Sequence, residues 1–156
     1  MYCKEWEKVG MFFGTYERNL DNKFRLQLPN KLVKEMPEHF YLLRGFEGAL
    51  SIYEEKDFQK YLSSLEKMSF LEEKARTYMR LALSSVEVLD TDSHGRISLG
   101  SAIAKRYGLS SEVVIIGVLD HFEIWDKAAY EEYQKKNEAS YEKIAEDLGK
   151  LSKEED

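Results

Sequence analysis

Two periods alternate along the chain. Apolar residues at every second position mark half-buried strands: Phe24, Leu26 and Leu28 around Arg25 and Gln27, then Ile97 and Leu99 around Ser98. The stretches "FFGTYERNL" and "SSVEVLD" precede them as further strands, and "HFYLLRG" with "ALSIYE" and "EVVIIGV" with "FEIWD" read as strand pairs. Gly45 and Gly48 connect the first pair, Asp120 and His121 the second. The helical period takes over at residues 54–67, where Phe58, Tyr61, Leu62 and Leu65 share one face. Ser69-Phe-Leu-Glu72 has capping-box spacing and predicts a second helix running to about Ala82. Tyr130, Tyr133, Tyr141, Ile144 and Leu148 predict a last helix that gives way to a frayed, polar "KLSKEED". Short helices are expected from Pro29, where proline suits a first helical turn, and over residues 101–107, stopped by Gly108.

The pattern is written twice. Asp21 lies 71 residues before Asp92, and the same shift sets Arg25 on Arg96, Leu26 on Ile97, Leu28 on Leu99 and Lys34 on Lys105. One residue further along, Ile52 meets Ile124, Tyr53 meets Trp125, Phe58 meets Tyr130 and Tyr61 meets Tyr133. Each half therefore reads strand, Asp-x-x-x-Arg turn, strand, short helix, strand pair and helix. The expected division is an extension at 1–10, repeats at 15–57 and 85–128, connecting helices at 58–83, and a helix with a polar tail at 129–156.

Composition narrows the functions. The 156 residues are 43% hydrophobic, enough for a packed core. The only cysteine is Cys3, which excludes a disulfide framework and fits a reducing cytosol. The longest apolar run, "VVIIGVL", is too short to span a membrane, and the charged "MYCKEWEKVG" has no export core. The net charge of −6 is the wrong sign for a polyanion binder, but it is uneven. Residues 14–36 carry five bases against three acids, whereas residues 126–156 carry ten acids against six bases. Nucleic acid is thus compatible with the turns and not with the C-terminal helix.

Few residues offer other chemistry. His39, His94 and His121 lack metal-ligand spacing, and Cys3 lacks an adjacent base. Gly45-Phe-Glu-Gly48 has an RNA-loop spacing but contains an acid, and reads as a hairpin loop. Asp90 and Asp92 would share a strand face as a hydrolytic carboxylate pair, without a partner base or metal set. Trp6 and Trp125 read as one surface residue and one core or interface residue. The turn aspartates Asp21 and Asp92 are expected to accept downstream backbone N–H groups, a structural task. The arginines leave the turn and can present a guanidinium to phosphate or to a guanine edge; a turn closed on an internal Asp–Arg pair is the other reading.

"GTYERNLDNKFRLQLP" and "LDTDSHGRISLG" resemble the two tandem motifs of the MraZ family, regulators of the AbrB/SpoVT-like swapped-hairpin class, and the resemblance extends from Met11 to about Tyr133. It implies an α+β, β-rich fold: a swapped-hairpin barrel made from two halves of one chain and flanked by helices. It further implies a non-enzymatic, cytoplasmic and nucleoid-associated regulator. Such a protein would form a homo-oligomeric ring on direct repeats in the promoter of the division and cell-wall gene cluster. The implied partners are double-stranded promoter DNA and other copies of the chain, with no cofactor, metal, membrane or small-molecule substrate. Arg18, Lys23, Arg25, His94 and Arg96 are the candidate DNA contacts; Asp21 and Asp92 hold the turns. Phe24 stands where the family usually has glycine, Gly100 where proline is common, and "NKLVKEM" is poorer in arginine than usual. The alternative is an antitoxin-type protein-interaction module of the same fold.

Overall fold

A computed structural model describes residues 11–154. The extension at 1–10, with Cys3 and Trp6, and the last two residues lie outside it. The strands are β1 (Thr15–Asn19), β2 (Arg25–Gln27), β3 (His39–Arg44), β4 (Leu50–Tyr53), β5 (Glu87–Asp90), β6 (Arg96–Ser98), β7 (Glu112–Gly117) and β8 (Phe122–Asp126). The helices are α1 (Glu55–Glu66), α2 (Glu73–Leu83), α3 (Gly100–Arg106), α4 (Lys127–Asn137) and α5 (Tyr141–Glu154), with a 3₁₀ turn at Glu138–Ser140 before the last.

The strands form one six-stranded sheet, β1-β7-β8-β4-β3-β5, and one two-stranded ribbon, β2-β6, antiparallel throughout. Exchanging β1–β4 with β5–β8 reads the same order backwards. The arms of the first hairpin part company: β1 pairs with β7 and β2 with β6, while β5 crosses to β3. Register obeys the same exchange. Leu26 opposes Ile97 at the centre of the ribbon, and Ser51 opposes Glu123 between Leu50–Ile124 and Ile52–Phe122. The closed barrel expected from the resemblance does not form as a continuous sheet. The six-stranded sheet is open, with β1 and β5 at its ends, and the ribbon is a separate layer. The α+β, mostly antiparallel class stands.

Side-chain alternation explains the layers. Leu26 and Ile97 are fully buried, as are Phe40, Leu50, Ile52, Val113, Ile115, Phe122 and Ile124 of the sheet, and all belong to one core cluster. The ribbon is laid on one face of the sheet. Phe122 sits edge-on to Phe12 and Phe40, each at 5.6 Å between ring centres. Odd positions of β3 face the other way: Tyr41 and Leu43 meet Tyr53, Phe58 and Ala82 in a second cluster under α1 and α2. Tyr41 stacks on Phe58 at 4.6 Å.

Several local expectations fail for identifiable reasons. No helix follows Pro29; Leu32 and Val33 donate to its carbonyl in a turn, and Pro37 restricts Met36 to extended backbone before another turn can form. The helix expected over residues 101–107 does form, at Gly100–Arg106, and Gly100 takes φ +78°, a conformation closed to proline. The Ser69–Glu72 sequence is not a capping box. The Ser69 hydroxyl accepts from Leu71 N–H at 3.3 Å, Glu72 is extended, and α2 starts at Glu73. The last helix is two helices. Tyr130 and Tyr133 on α4 pack against Trp125, whereas Tyr141, Ile144, Leu148 and Leu151 form an exposed stripe on α5. Helix α5 runs to Glu154, through residues whose polarity had suggested fraying.

Because Leu26 has no solvent exposure, Leu26→Ala is expected to cost about 2–5 kcal/mol, transfer plus cavity. Urea unfolding measures it. A loss below about 1 kcal/mol would mean that the ribbon is not docked on the sheet.

Candidate nucleic-acid interface

The turns that lead into β2 and β6 share one hydrogen-bond net. Asp21 Oδ1 accepts the backbone N–H of Lys23 and of Arg25, each at 2.9 Å, and Oδ2 accepts Arg25 Nε at 2.6 Å. Asp92 Oδ1 accepts the N–H of His94 and of Arg96 at 2.9 Å, and Oδ2 accepts Arg96 Nε at 2.8 Å. Backbone bonds close each turn: Phe24 N–H to Asp21 O at 3.0 Å, Gly95 N–H to Asp92 O at 3.1 Å. Both readings of the sequence therefore coexist. The Asp–Arg pair is internal, yet it uses only Nε, and the terminal guanidinium nitrogens have no partner among the described residues.

Alternation on the ribbon sets where the arginines lie. Leu26 and Ile97 face the core, so Arg25, Gln27, Arg96 and Ser98 occupy the opposite face. Arg25 and Arg96 sit on opposite strands, two residues apart in register. Their Cα atoms are thus roughly 8 Å apart, two strand rises along and one spacing across. Lys23 and His94 are exposed at the equivalent turn tips. Arg18 is not brought to the turns. It lies on β1, donates from Nη1 to Glu17 O at 2.8 Å, and stands 5.9 Å from the Tyr16 ring centre. Gln27, read from the sequence only as an outward strand position and not as a candidate contact, is in the site: its Nε2 donates across the ribbon to His94 O at 2.9 Å. The only sequence signal for it was an outward strand position occupied by glutamine where the other half has Ser98.

Phe24 does not distort the first turn. It takes φ +58°, beside +74° for its counterpart Gly95, and its ring packs against the main core. The backbone works as it does with glycine, at the cost of a left-handed conformation that L side chains resist. Phe24→Ala is expected to be about 1 kcal/mol less stable than Phe24→Gly, since alanine loses the ring yet keeps the strain. Equal stabilities of the two variants would show that the positive φ costs nothing.

Hydrogen bonding dominates the carboxylates. The Arg96 N–H lowers Asp92 most; burial works against it, and the Arg96 side chain, the His94 N–H and the guanidinium charge lower it further, to about 2 from 3.8. Asp21 is lowered by its Arg25 contacts in the same way. A depressed folded value means that the carboxylate net is complete above about 3.8 and is lost as pH falls through about 2. The Asp92 carboxyl carbon, followed by NMR, is expected to titrate with a midpoint near 2, and a midpoint near 3.8 would break the net.

An α+β chain with interleaved halves, presenting a matched pair of Asp–Arg turns on one ribbon, is a distinct class of protein. The profile described as "MraZ protein, putative antitoxin-like" matches residues 11–81 and 84–151. The chain belongs to the MraZ family. It is 38% identical over 138 residues to Transcriptional regulator MraZ of Lactobacillus delbrueckii subsp. bulgaricus, covering 88% of this chain and 96% of that one. Against Transcriptional regulator MraZ of Mesoplasma florum the identity is 34% over 139 residues, covering 88% and 95%. Against that of Corynebacterium urealyticum it is 37% over 131 residues, covering 84% and 92%.

Proposed function

We propose that this chain is a transcriptional regulator that binds promoter DNA through the solvent face of the β2–β6 ribbon, as an oligomer on direct repeats. The observation that carries the reading is the pair of arginines on that face, each splinted through Nε and open at its terminal nitrogens. A two-stranded ribbon is of a size that enters a major groove, and guanidinium nitrogens suit guanine edges and phosphates. A spacing of roughly 8 Å places the two arginines two to three base pairs apart along the duplex. Lys23 and His94 flank them toward the phosphates; Arg18, tied to its own strand, has the weakest claim of the five. The curated relatives above are named as transcriptional regulators, which supports a binding rather than a catalytic role.

Assembly belongs to the same reading. The two repeats form one interleaved body within a single chain. The exposed stripe on α5 and the exposed Phe70 and Leu71 between α1 and α2 are then available to neighbouring copies. Head-to-tail contacts around a ring would carry every ribbon to one rim and meet repeats of one orientation. One copy supplies few cations, so ring avidity supplies the affinity. Among the described residues no helix is long and apolar enough to cross a membrane. A promoter-binding regulator would work in the cytoplasm, at the nucleoid.

Arg25→Ala and Arg96→Ala are each expected to weaken binding to repeat-bearing DNA by roughly 1–3 kcal/mol with little change in melting. Mobility shifts across a salt series measure this, alongside light scattering for the ring. Unchanged affinity in both variants would remove the ribbon from the interface. A complete absence of DNA binding together with capture of a protein partner would favour the antitoxin-type module instead.

A further inference from the structure

The two turns have the same internal net but different moorings, and the difference singles out one side chain. Phe24 anchors the first turn by packing its half-buried ring against the main core. Its counterpart Gly95 has no side chain, so nothing of that kind holds the second turn. Gln27 reaches over instead: Nε2 donates to His94 O at 2.9 Å and lies 3.4 Å from Gly95 O. Two carbonyl acceptors require the nitrogen of the amide there, because the reverse orientation would set oxygen against oxygen. The counterpart of Gln27 is Ser98, and among the described residues Ser98 makes no side-chain bond to the first turn. Each turn thus has one tie of its own beyond the shared ladder, in which Leu99 N–H donates to Phe24 O and Leu28 N–H to Gly95 O.

We propose that Gln27 is a positioning residue for Arg96, acting by clamping the peptide between His94 and Gly95. That peptide is held at both ends, its oxygen by Gln27 and its N–H by Asp92 O at 3.1 Å. With the clamp removed, a peptide followed by glycine turns over readily, because glycine accepts either sign of φ. The N–H groups on either side of it, of His94 and Arg96, are the donors that aim the Asp92 carboxylate, and that carboxylate splints Arg96 Nε. Loosening the peptide therefore loosens the arginine. In the first turn the Phe24 ring resists the same rotation, so Arg25 does not depend on Gln27. The consequence for DNA rests on the function proposed above; the clamp itself does not.

Gln27→Ala and Gln27→Met, the second nearly isosteric but without a donor, are tested in two ways. Solvent exchange of the arginine Nε–H groups, read by NMR without DNA, is expected to speed up at Arg96 and not at Arg25. Mobility shifts with repeat-bearing DNA are expected to show a roughly two- to tenfold loss, the worth of one net hydrogen bond. That loss should persist on top of Arg25→Ala and vanish on top of Arg96→Ala, the signature of action through Arg96. Unaltered Arg96 exchange in both variants overturns the clamp. An equal loss on top of Arg96→Ala overturns positioning, since Gln27 would then touch DNA itself. If neither arginine variant loses affinity, it is the DNA reading that fails, and the exchange measurement alone decides the clamp.

Discussion

The pairing of Leu26 with Ile97 is the contact on which the rest depends. Each comes from a different half, both are completely buried, and they lie at the one point of the ribbon that the exchange of halves leaves in place. Because they face the sheet, the residues on either side must face solvent, and those residues include both arginines. The same pair obliges the hairpins to interleave. If β2 turned back onto its own half, Leu26 and Ile97 would lose each other and the sheet would lose the apolar layer that covers Phe122. Burial of two such side chains is worth about 1.5–3 kcal/mol each, a large part of a small domain's net stability. Site geometry and fold stability are therefore one constraint.

Equivalence of the halves stops at the turns. Both aspartates build the same net, yet one turn is stiffened by an aromatic ring in a strained left-handed conformation and the other by a reach across the ribbon. Phe24 exchanges backbone comfort for a hydrophobic anchor. Gly95 keeps the comfortable backbone and borrows its tie from Gln27. Under the DNA-binding role proposed above, two differently moored arms would not treat the two ends of a site alike, which suits an oriented repeat better than a palindrome.

Much of this was legible in the amino-acid order, because the constraint that matters is periodic. The shift of 71 residues sets Asp21 on Asp92 and Leu26 on Ile97, and those are the residues that organise the ribbon. What stayed hidden was decided by neighbours in space. The gap between Tyr133 and Tyr141 is compatible with one long helix, whereas a 3₁₀ turn at Glu138–Ser140 separates α4, packed on Trp125 through Tyr130 and Tyr133, from α5. Ser69 and Glu72 have the spacing of a cap, but the Ser69 hydroxyl found a nearer N–H. Pro29 signals a helix start by itself and fails because Pro37 holds Met36 out of the helical region and has no N–H at the place where Gly108 N–H closes α3 in the other half. Gln27 was invisible because its partner is a backbone carbonyl 67 residues away, which carries no residue signature.

For the DNA-binding role proposed above, a carboxylate beside each ribbon arginine looks self-defeating in a chain of net charge −6. At distances beyond the Debye length, about 8 Å, a neutral Asp–Arg pair pulls on DNA hardly at all. Close in, the balance changes. A free arginine surrenders about 2 kcal/mol of rotamer freedom when it is fixed on a target. Here Asp21 and Asp92 have already fixed the stem through Nε, so that loss falls on folding and not on binding. Long-range attraction is given up and geometric selectivity is gained. Such a site discriminates more than it holds, which is a useful property only where something else supplies the holding. The proposed oligomer would supply it by engaging several repeats at once, and the same weak individual contacts would then let such an assembly release DNA that lacks them.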